Sequence, residues 1–242
     1  MAKIIITRPV PVIEITAEVY EKAGFEVFKM PIFDIQTNVS VNPEWLELSA
    51  DIWVVLSVHA LKHALQIHPA LKPSSNTQVI AVGPAVADFW RKHFNHEITS
   101  HPWMNSEGVI ELLKESKPTS VKILTTYGGR EIIKSHCMQH CISFAQINTY
   151  KRIPMSIEIE SLLKLYQCMD DRVILTVTSS GILNQFMSQL STDLYSMVLS
   201  QPLVVGAKRI FDLAQELGFF DIHLASSPGD EAMCEAVSGI FI

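Results

Sequence analysis

Apolar and polar positions follow two alternating periods along the chain, one typical of strands and one typical of helices. Short β-branched runs predict strands at 3–7, 25–28, 51–56, 78–82, 97–99, 121–125, 142–147 and 221–224. Helical spacing of apolar residues predicts helices at 12–23, 58–67, 85–94, 106–115, 130–139, 157–167 and 230–237. The stretch 171–219 reads as strand, small-polar turn, helix, strand, glycine turn, helix. This alternation predicts parallel α/β units with right-handed crossovers.

The turns that end the strands occur in two matched sets. Ser57 and Ser179 each follow a predicted strand and lie about 120 residues apart, and Gly83 and Gly206 are separated by about the same distance. Most of the chain is therefore an internal repeat, in which one structural unit of about half the chain length occurs twice.

Ten predicted strands are more than one sheet comfortably holds, so we expect two five-stranded domains. A division at the midpoint and an interleaved division both give five strands per domain. Two extended segments, at 32–41 and 150–154, favour the interleaved form, because segments running out and back can pair as a small antiparallel ladder. That division assigns 38–148 to one domain, 1–34 and 153–242 to the other, and 35–37 and 149–152 to the linker.

Composition narrows the class of protein. Of the 242 residues, 48% are hydrophobic and 18% are charged, which is typical of a globular chain with ample core. We expect no signal peptide and no membrane span, since no apolar run approaches about 20 residues. The four cysteines form no disulfide framework, which favours a reduced, cytoplasmic setting. A formal net charge of −6 argues against nucleic acid as the main partner.

The loops after the strands are the expected ligand-binding segments, because ligands of open α/β sheets lie at the carboxyl ends of the strands. These loops contain Arg8, Ser57, His59, Gly83, Pro84, Ala85, Gly128, Gly129, Arg130, Thr178, Ser179, Ser180, Gly206, Ala207 and Lys208. Small residues let helix N-terminal N–H groups approach an anion. Any single loop is equally well explained as an N-cap or a turn. Six such loops in two matched sets favour an anion-binding cleft between the domains.

Other chemical signals are weaker. The segment HCMQHC at 136–141 places two histidines and two cysteines at i, i+4, a spacing that could hold zinc. The two pairs would lie about 100° apart on a helix, so buried cysteines with surface histidines are favoured. His59 and His63 have no neighbouring carboxylate of a metalloprotease helix, and we expect them on a helix surface. The sequence contains no serine-hydrolase elbow and no nucleotide-binding glycine motif.

Short motifs also occur along the chain in a fixed order. They are ITRP at 6–9, AGF at 23–25, PIF at 31–33, LSVHA at 56–60, IAVGP at 80–84, NSEG at 105–108, GGRE at 128–131, TYKR at 149–152, TSS at 178–180, LGFFDI at 217–222 and ASSPGDEAM at 225–233. In order and spacing they resemble the uroporphyrinogen-III synthase family over essentially the full length. GGRE and TYKR most resemble bacterial members.

The resemblance implies two flavodoxin-like domains of interleaved chain, each a five-stranded parallel sheet flanked by helices, joined by a two-stranded linker ladder. It implies a lyase that acts on hydroxymethylbilane, a linear tetrapyrrole octacarboxylate, without metal or organic cofactor. The enzyme would eliminate the terminal hydroxyl as water and close the ring with ring D inverted. We expect a monomer that makes transient contact with the preceding pathway enzyme.

The resemblance also suggests roles for individual residues. An octa-anion suits a site made of backbone amides together with Arg8, Arg130, Lys151 and Lys208. Tyr150, in TYKR, is the candidate catalytic acid, because a phenol is protonated at neutral pH and can donate to a leaving hydroxyl. A half-buried tyrosine on a linker strand is an equally simple explanation.

Two departures from the family pattern leave alternatives open. Val86 stands where the family often has threonine in G-x-x-T-A, and 124–126 reads LTT where bacterial members commonly have LRG. At Val86 the hydroxyl contact of the family is lost or replaced by the backbone. One alternative is a two-domain small-ligand sensor of the periplasmic-binding type. The other is a non-catalytic copy of the synthase fold that binds tetrapyrroles. Val86 in place of threonine is the feature that supports this alternative.

Overall fold

Two β-sheets organise the chain in the computed structural model, which describes residues 3–129, 131–167 and 172–241. The strands are β1 (Lys3–Ile6), β2 (Glu26–Lys29), β3 (Phe33–Thr37), β4 (Ile52–Val55), β5 (Gln78–Ala81), β6 (Thr99–Ser100), β7 (Ser120–Thr126), β8 (Ser143–Pro154), β9 (Val173–Val177), β10 (Leu203–Val205) and β11 (Ile222–Leu224). The helices are α1 (Val10–Lys22), α2 (Pro43–Glu47), α3 (Val58–Ile67), α4 (Pro84–His93), α5 (Ser106–Ser116), α6 (Ile132–Gln139), α7 (Ile159–Gln167), α8 (Ser180–Met187), α9 (Thr192–Leu199), α10 (Lys208–Leu217) and α11 (Asp230–Ser238).

The chain divides into two compact units. The terminal unit consists of Met1–Asp34 and Ile153–Ile242, and the central unit consists of Ile35–Arg152. Sheet A belongs to the terminal unit and has the strand order β11-β10-β9-β1-β2. Every neighbouring pair of its strands is parallel, which confirms the predicted five-stranded parallel sheet.

Sheet A is covered by helices on both faces, which explains why its strands are apolar at successive positions. Ile5 packs in a cluster with residues of α7, α8, α9 and α10. Ile4 and Ile6, its neighbours along β1, pack on the opposite face with residues of α1 and α11. Successive strand side chains point to opposite faces, so a sheet buried on both sides requires a continuous apolar run.

Sheet B has the strand order β3-β8-β7-β4-β5-β6. The four pairings from β8 through β6 are parallel. β3 runs antiparallel to β8, because the Asn38 N–H donates to the Thr149 carbonyl at 2.9 Å and the Met155 N–H donates to the Ile32 carbonyl at 3.0 Å. The prediction of a second five-stranded, purely parallel sheet is wrong, because sheet B is a mixed sheet of six strands. The predicted antiparallel pairing of the two extended segments is confirmed, since β8 continues through the expected linker and pairs there with β3.

Sheet B is likewise covered on both faces. Trp53 and Val55 of β4 pack with residues of α2, α3 and α4. Ile52 and Val54 pack on the other face with residues of α5 and α6. The predicted positions of the long helices and of the buried strands are confirmed, but α2 and α9 were not expected from the sequence.

A buried lysine lies in the centre of sheet B. Lys122 of β7 is fully buried. Its Nζ donates to the Leu46 carbonyl of α2 at 2.5 Å and lies 4.0 Å from the centroid of the Trp53 ring. Burial lowers the pKa of Lys122 to about 8, and the nearby Glu47 carboxylate partly opposes this shift. The folded chain therefore favours the neutral amine more than the unfolded chain does.

We expect the stability of the protein to rise with pH because of Lys122. Between about 8 and its ordinary pKa of 10.5, the unfolded chain binds a proton that the folded chain has lost, so the free energy of unfolding increases with pH. Lys122→Met removes this titration. Urea denaturation of both proteins at pH ~7 and pH ~9.5 should show their stability difference changing by about 2 kcal/mol. The exposed Lys72→Met is the control, and parallel pH profiles for wild type and Lys122→Met would contradict the assignment.

In each sheet, a glycine that follows one strand is contacted by the loop that follows the neighbouring edge strand. A Cβ on Gly206, after β10, would lie 2.7 Å from the Cα and 2.8 Å from the Cβ of Pro228. A Cβ on Gly83, after β5, would lie 3.5 Å from the Cβ of Met104, which is an ordinary contact. The same approach therefore occurs in both sheets, but of these two glycines only Gly206 is required for packing.

Alanine substitutions at these two glycines should differ in their effect on stability. Gly206→Ala forces the Pro228 backbone to move and should lower the free energy of unfolding by about 1–3 kcal/mol. Gly83→Ala should change it by no more than about 0.5 kcal/mol. Urea denaturation of the two variants side by side measures this, and equal losses would contradict the packing difference.

Candidate functional site

The carboxyl edge of sheet A gathers the predicted site residues of the terminal unit. Arg8 follows β1, Thr178 follows β9 and Gly206 follows β10, three strands that are neighbours in the sheet. Ser179 and Ala207 are the N-cap residues of α8 and α10, and Ser180 and Lys208 are the first residues of those helices. All seven lie at one edge because parallel strands end on the same side.

Arg8 is held in a network of side chains at this edge. Its Nη2 forms an ion pair with Asp230 Oδ1 at 2.9 Å, and its Nη1 donates to Thr178 Oγ1 at 3.4 Å. The Thr16 hydroxyl also donates to Asp230 Oδ1, at 3.1 Å. Asp230 is in the first turn of α11, so Arg8 joins the β1 and β9 loops to that helix. The guanidinium is thus already compensated by a carboxylate, a partner that the sequence analysis missed.

Lys208 is also paired, because its Nζ bonds to Asp212 one turn later in α10. Its side chain remains 68% exposed. In the terminal unit, both of the cations that were expected to bind an anion therefore have a carboxylate partner. The Lys208–Asp212 pair could have been predicted from the sequence, because residues four apart on a helix are neighbours. The Arg8–Asp230 pair could not, because the two residues are remote along the chain.

The carboxyl edge of sheet B gathers the corresponding residues of the central unit. They are Ser57 and His59 after β4, Gly83, Pro84 and Ala85 after β5, Gly128 and Gly129 after β7, and Tyr150 and Lys151 on β8. Thr126, the last residue of β7, pairs in register with Tyr150, which places that tyrosine at the same edge. Gly128 has φ +67°, a conformation that favours glycine. Arg130 lies outside the described residues.

The helices at these edges begin in two ways. The Ser57 hydroxyl accepts from the Ala60 N–H at 2.9 Å, and the repeat-related Ser179 accepts from the Ile182 N–H at 3.3 Å. Both serines are therefore N-caps, as the simpler interpretation proposed. Gly83 and Ala207 precede α4 and α10, and within the described residues neither helix has a side-chain cap. Pro84, the first residue of α4, has no N–H, and the Val86 and Ala87 N–H groups donate to the Gly83 carbonyl, so in α4 it is the Ala85 N–H that can point to an anion. In α10 the N–H of Lys208, the first residue, is the corresponding group.

Tyr150 is buried, with 4% of its surface exposed. The Ser57 hydroxyl donates to its phenol oxygen at 3.3 Å, which leaves the phenol proton available for donation. The ring stacks on His63, with centroids 5.6 Å apart and planes at 26°, and lies 5.8 Å from the His59 ring. Tyr150 is thus built into the packing between α3 and β8. It lies on the linker part of β8, as the simpler explanation proposed, but it is buried rather than half-buried.

His63 is fixed by a second hydrogen-bond chain. Its Nδ1 lies 2.9 Å from Thr37 Oγ1, and that hydroxyl donates to Gln66 Oε1 at 2.8 Å. Because a threonine hydroxyl has one proton, its use toward Gln66 makes the His63 Nδ1–H the donor. Burial lowers the pKa of His63, and the Lys62 charge lowers it further, so the ring is neutral at neutral pH.

The prediction that His59 and His63 lie on a helix surface is wrong for His63, which is buried, and His59 is partly buried. The signal that could have found this was position, since His63 lies three residues after Ala60 and one before Ala64, two small apolar residues that pack in the buried cluster on this face of sheet B. Polar residues beside the apolar stripe of a short helix are easily taken for surface residues.

The segment 136–141 does not form the arrangement expected for it. Cys137 is buried as predicted, but Cys141 is exposed with φ +54°, and His136 is buried. Burial lowers the pKa of His136, as does the neighbouring His140. Within the described ranges, no group of three or more His, Cys, Asp or Glu side chains is placed to hold a metal ion. Within those same ranges, none of the helices combines the length and apolar character of a membrane span.

Comparisons with known proteins agree with this architecture. The family model of uroporphyrinogen-III synthase (HemD) matches residues 14–235. A mutant uroporphyrinogen III synthase from Thermus thermophilus superposes with a TM-score of 0.69 at 11% identity, covering 100% of this chain and 99% of that chain. Uroporphyrinogen-III synthetase from Helicobacter pylori superposes with a TM-score of 0.62 at 15% identity, covering 99% of this chain and 100% of that chain.

A search of curated protein sequences gives no match. The two solved structures support the fold, and the family model covers more than nine tenths of the chain, including the residues of both sheet edges described above except Arg8. The chain therefore belongs to the uroporphyrinogen-III synthase family.

Proposed function

We propose that this chain is an active uroporphyrinogen-III synthase, which cyclises hydroxymethylbilane to uroporphyrinogen III with inversion of ring D and loss of water. The observation that supports this most directly is the match of the uroporphyrinogen-III synthase family model to residues 14–235. Within the structure, the candidate acid is Tyr150, whose phenol receives a hydrogen bond from Ser57 at the carboxyl edge of sheet B. We further propose that the enzyme is a cofactor-independent carbon–oxygen lyase that acts as a cytoplasmic monomer. Contact with the preceding pathway enzyme stays a prediction.

The two units are proposed to be flavodoxin-like domains. In sheet A the strands, counted in chain order within the terminal unit, follow the order 2-1-3-4-5 that is typical of that fold. The parallel strands of sheet B follow the same order if β7 and β8 are counted before β4. This relation, a circular permutation, supports the interleaved division into 38–148 and 1–34 with 153–242, linked by 35–37 and 149–152.

The substrate carboxylates are proposed to bind mainly to backbone N–H groups. The helix starts at Gly83 and Ala207 have no side-chain cap within the described residues, whereas Arg8 and Lys208 are paired with carboxylates. Lys151 adds a cation at the edge of sheet B, and Arg130 is proposed from its motif alone. Arg8 then acts chiefly by holding the β1 and β9 loops in place.

Tyr150 is proposed to donate its proton to the terminal hydroxyl of hydroxymethylbilane. The carbon–oxygen bond breaks, water leaves, and an azafulvene forms that closes the ring through a spiro intermediate. The final loss of a proton from the tetrapyrrole restores the phenol. The Ser57 hydroxyl, which donates to the phenol oxygen, stabilises the phenolate between these steps. Neutral His63 holds the ring without adding a competing charge.

The decisive test of the function is the isomer of the product. Enzymatically generated hydroxymethylbilane is incubated with the protein, and the products are oxidised and separated. We expect type III in excess over the type I isomer that forms spontaneously. Type I alone would contradict the proposed function and would favour a binding protein without turnover.

Tyr150→Phe should keep the fold and the KM but lose about tenfold or more in kcat, because general acid catalysis typically contributes about 10²–10⁴-fold and other groups can substitute in part. The matched control is Tyr195→Phe, which removes a hydroxyl that donates to the Leu217 carbonyl in the terminal unit. A folded Tyr150→Phe enzyme with the parent kcat would remove Tyr150 from the mechanism.

Gly83→Ala tests the role of the α4 backbone. The added Cβ meets no tight protein contact, yet it projects beside the N–H groups proposed to bind a carboxylate. We expect KM to rise about tenfold with little loss of stability. Gly239→Ala is the control, because nothing lies within 4 Å of a Cβ at that position. Unchanged KM in Gly83→Ala would place the substrate carboxylates elsewhere.

A further inference from the structure

A loop beside Gly83 displays two large apolar side chains at the carboxyl edge of sheet B. β6 runs parallel to β5, so the loop after Ser100 emerges at the same edge as Gly83. In this loop Trp103 is 58% exposed and Met104 is 61% exposed. The position of Met104 against Gly83 brings the loop next to the proposed binding edge.

The loop is held in one conformation by its own contacts. The Met104 N–H donates to the His101 carbonyl at 3.0 Å, and the Trp103 N–H donates to His101 Nδ1 at 3.2 Å. The His101 ring meets the Trp103 ring nearly perpendicularly, with centroids 4.6 Å apart. A Cβ on Gly108 would lie 2.8 Å from the His101 Cβ, so His101 packs directly on the first turn of α5. Met104 has φ +48°, an unusual conformation for its residue type.

This arrangement presents Trp103 to a ligand at low entropic cost. A tryptophan that remains more than half exposed despite three fixed contacts around it contributes little to folding. Displaying a large aromatic ring on a rigid, strained loop is typical of a recognition site. Because the ring is already positioned, binding does not have to order it.

The corresponding loop of the terminal unit lacks these side chains. Pro228 approaches Gly206 there as Met104 approaches Gly83. The preceding residues are Ser226 and Ser227, both exposed and small. The two loops thus approach a glycine in the same way but carry different side chains. Of these two loops, only the one in the central unit carries an aromatic ring.

We propose that Trp103, supported by Met104, is a substrate-binding residue that packs against a pyrrole ring of the linear tetrapyrrole. The inference rests on the proposed function, which supplies a ligand with flat, electron-rich rings between its carboxylates. Backbone N–H groups near Gly83 bind a carboxylate, and the indole covers the adjoining ring. Offset or edge-to-face packing of two aromatic rings is favourable beyond the area that it buries.

The test measures binding separately from turnover. Uroporphyrin III, which carries eight carboxylates on four pyrrole-derived rings, is titrated by equilibrium dialysis against wild type, Trp103→Ala and Trp103→Phe. We expect Trp103→Ala to raise Kd about five- to tenfold and Trp103→Phe to raise it less than about threefold. The control is Trp45→Ala, since Trp45 is also half exposed but lies on α2, before the start of β4.

Kinetics give the second measurement. Since the ring contact exists in both the ground state and the transition state, Trp103→Ala should raise KM by a similar factor with kcat within about twofold. Wild-type Kd and KM in a folded Trp103→Ala protein would overturn the inference while leaving the function intact. A protein that binds uroporphyrin III through Trp103 but forms only type I product would retain the binding site and lose the proposed function. A change in oligomeric state of Trp103→Ala with unchanged Kd would assign the indole to self-association and overturn the inference.

Discussion

Parallel strand pairing is the constraint from which the rest of this structure follows. It brings the loops after β1, β9 and β10 to one edge of sheet A, and the loops after β4, β5 and β7 to one edge of sheet B, where β8 runs past with Tyr150. It also requires crossover helices that bury both faces, which fixes the continuous apolar strands. Residues far apart in the chain, such as Ser57 and Tyr150, meet because β4 ends at the level where Tyr150 lies on β8.

Charge pairing within the terminal unit decides which groups remain for an anion. With 25 acidic and 19 basic residues, the chain has more carboxylates than cations, and Arg8 and Lys208 are both compensated by aspartates. An isolated, partly buried guanidinium would destabilise the fold, so the network around Arg8 compensates its charge. The same network makes Arg8 less available to a bound anion. Recognition by peptide N–H groups avoids that conflict, because these groups have no counter-ion and are fixed by the helix.

The sequence predicted those features that depend on local period and turn chemistry. The long helices, the buried strands and the five-stranded sheet A follow from apolar spacing, and the placement of the glycine and serine turns follows from parallel pairing. Short elements were missed, since α2 has five residues and α9 has eight, which gives little periodic signal. The antiparallel pairing of β3 with β8 was predicted from the two extended segments, but its continuity with sheet B was not, because an edge that can accept another strand exists only in the folded sheet.

The site was less predictable than the fold because its contacts are remote in sequence. Tyr150 lies 93 residues from the Ser57 hydroxyl that binds it, and Arg8 lies even farther from Asp230. His63 was assigned to the surface because burial of a histidine depends on which strand the helix covers. Spacing along a helix predicts a face, but the partner of that face is set by topology.

The interleaving of the terminal unit has a consequence for synthesis on the ribosome. β1 and β2 are made before the central unit, yet β9, which pairs with β1, is made only after it. At about 5–20 residues per second, β1 emerges many seconds before it can pair with β9. The central unit, whose strands are contiguous in the chain, has all of its sheet once β8 leaves the tunnel. The free edge of β1 thus stays without its partner until the central unit has been made, and a chaperone that shields this edge would act during that interval.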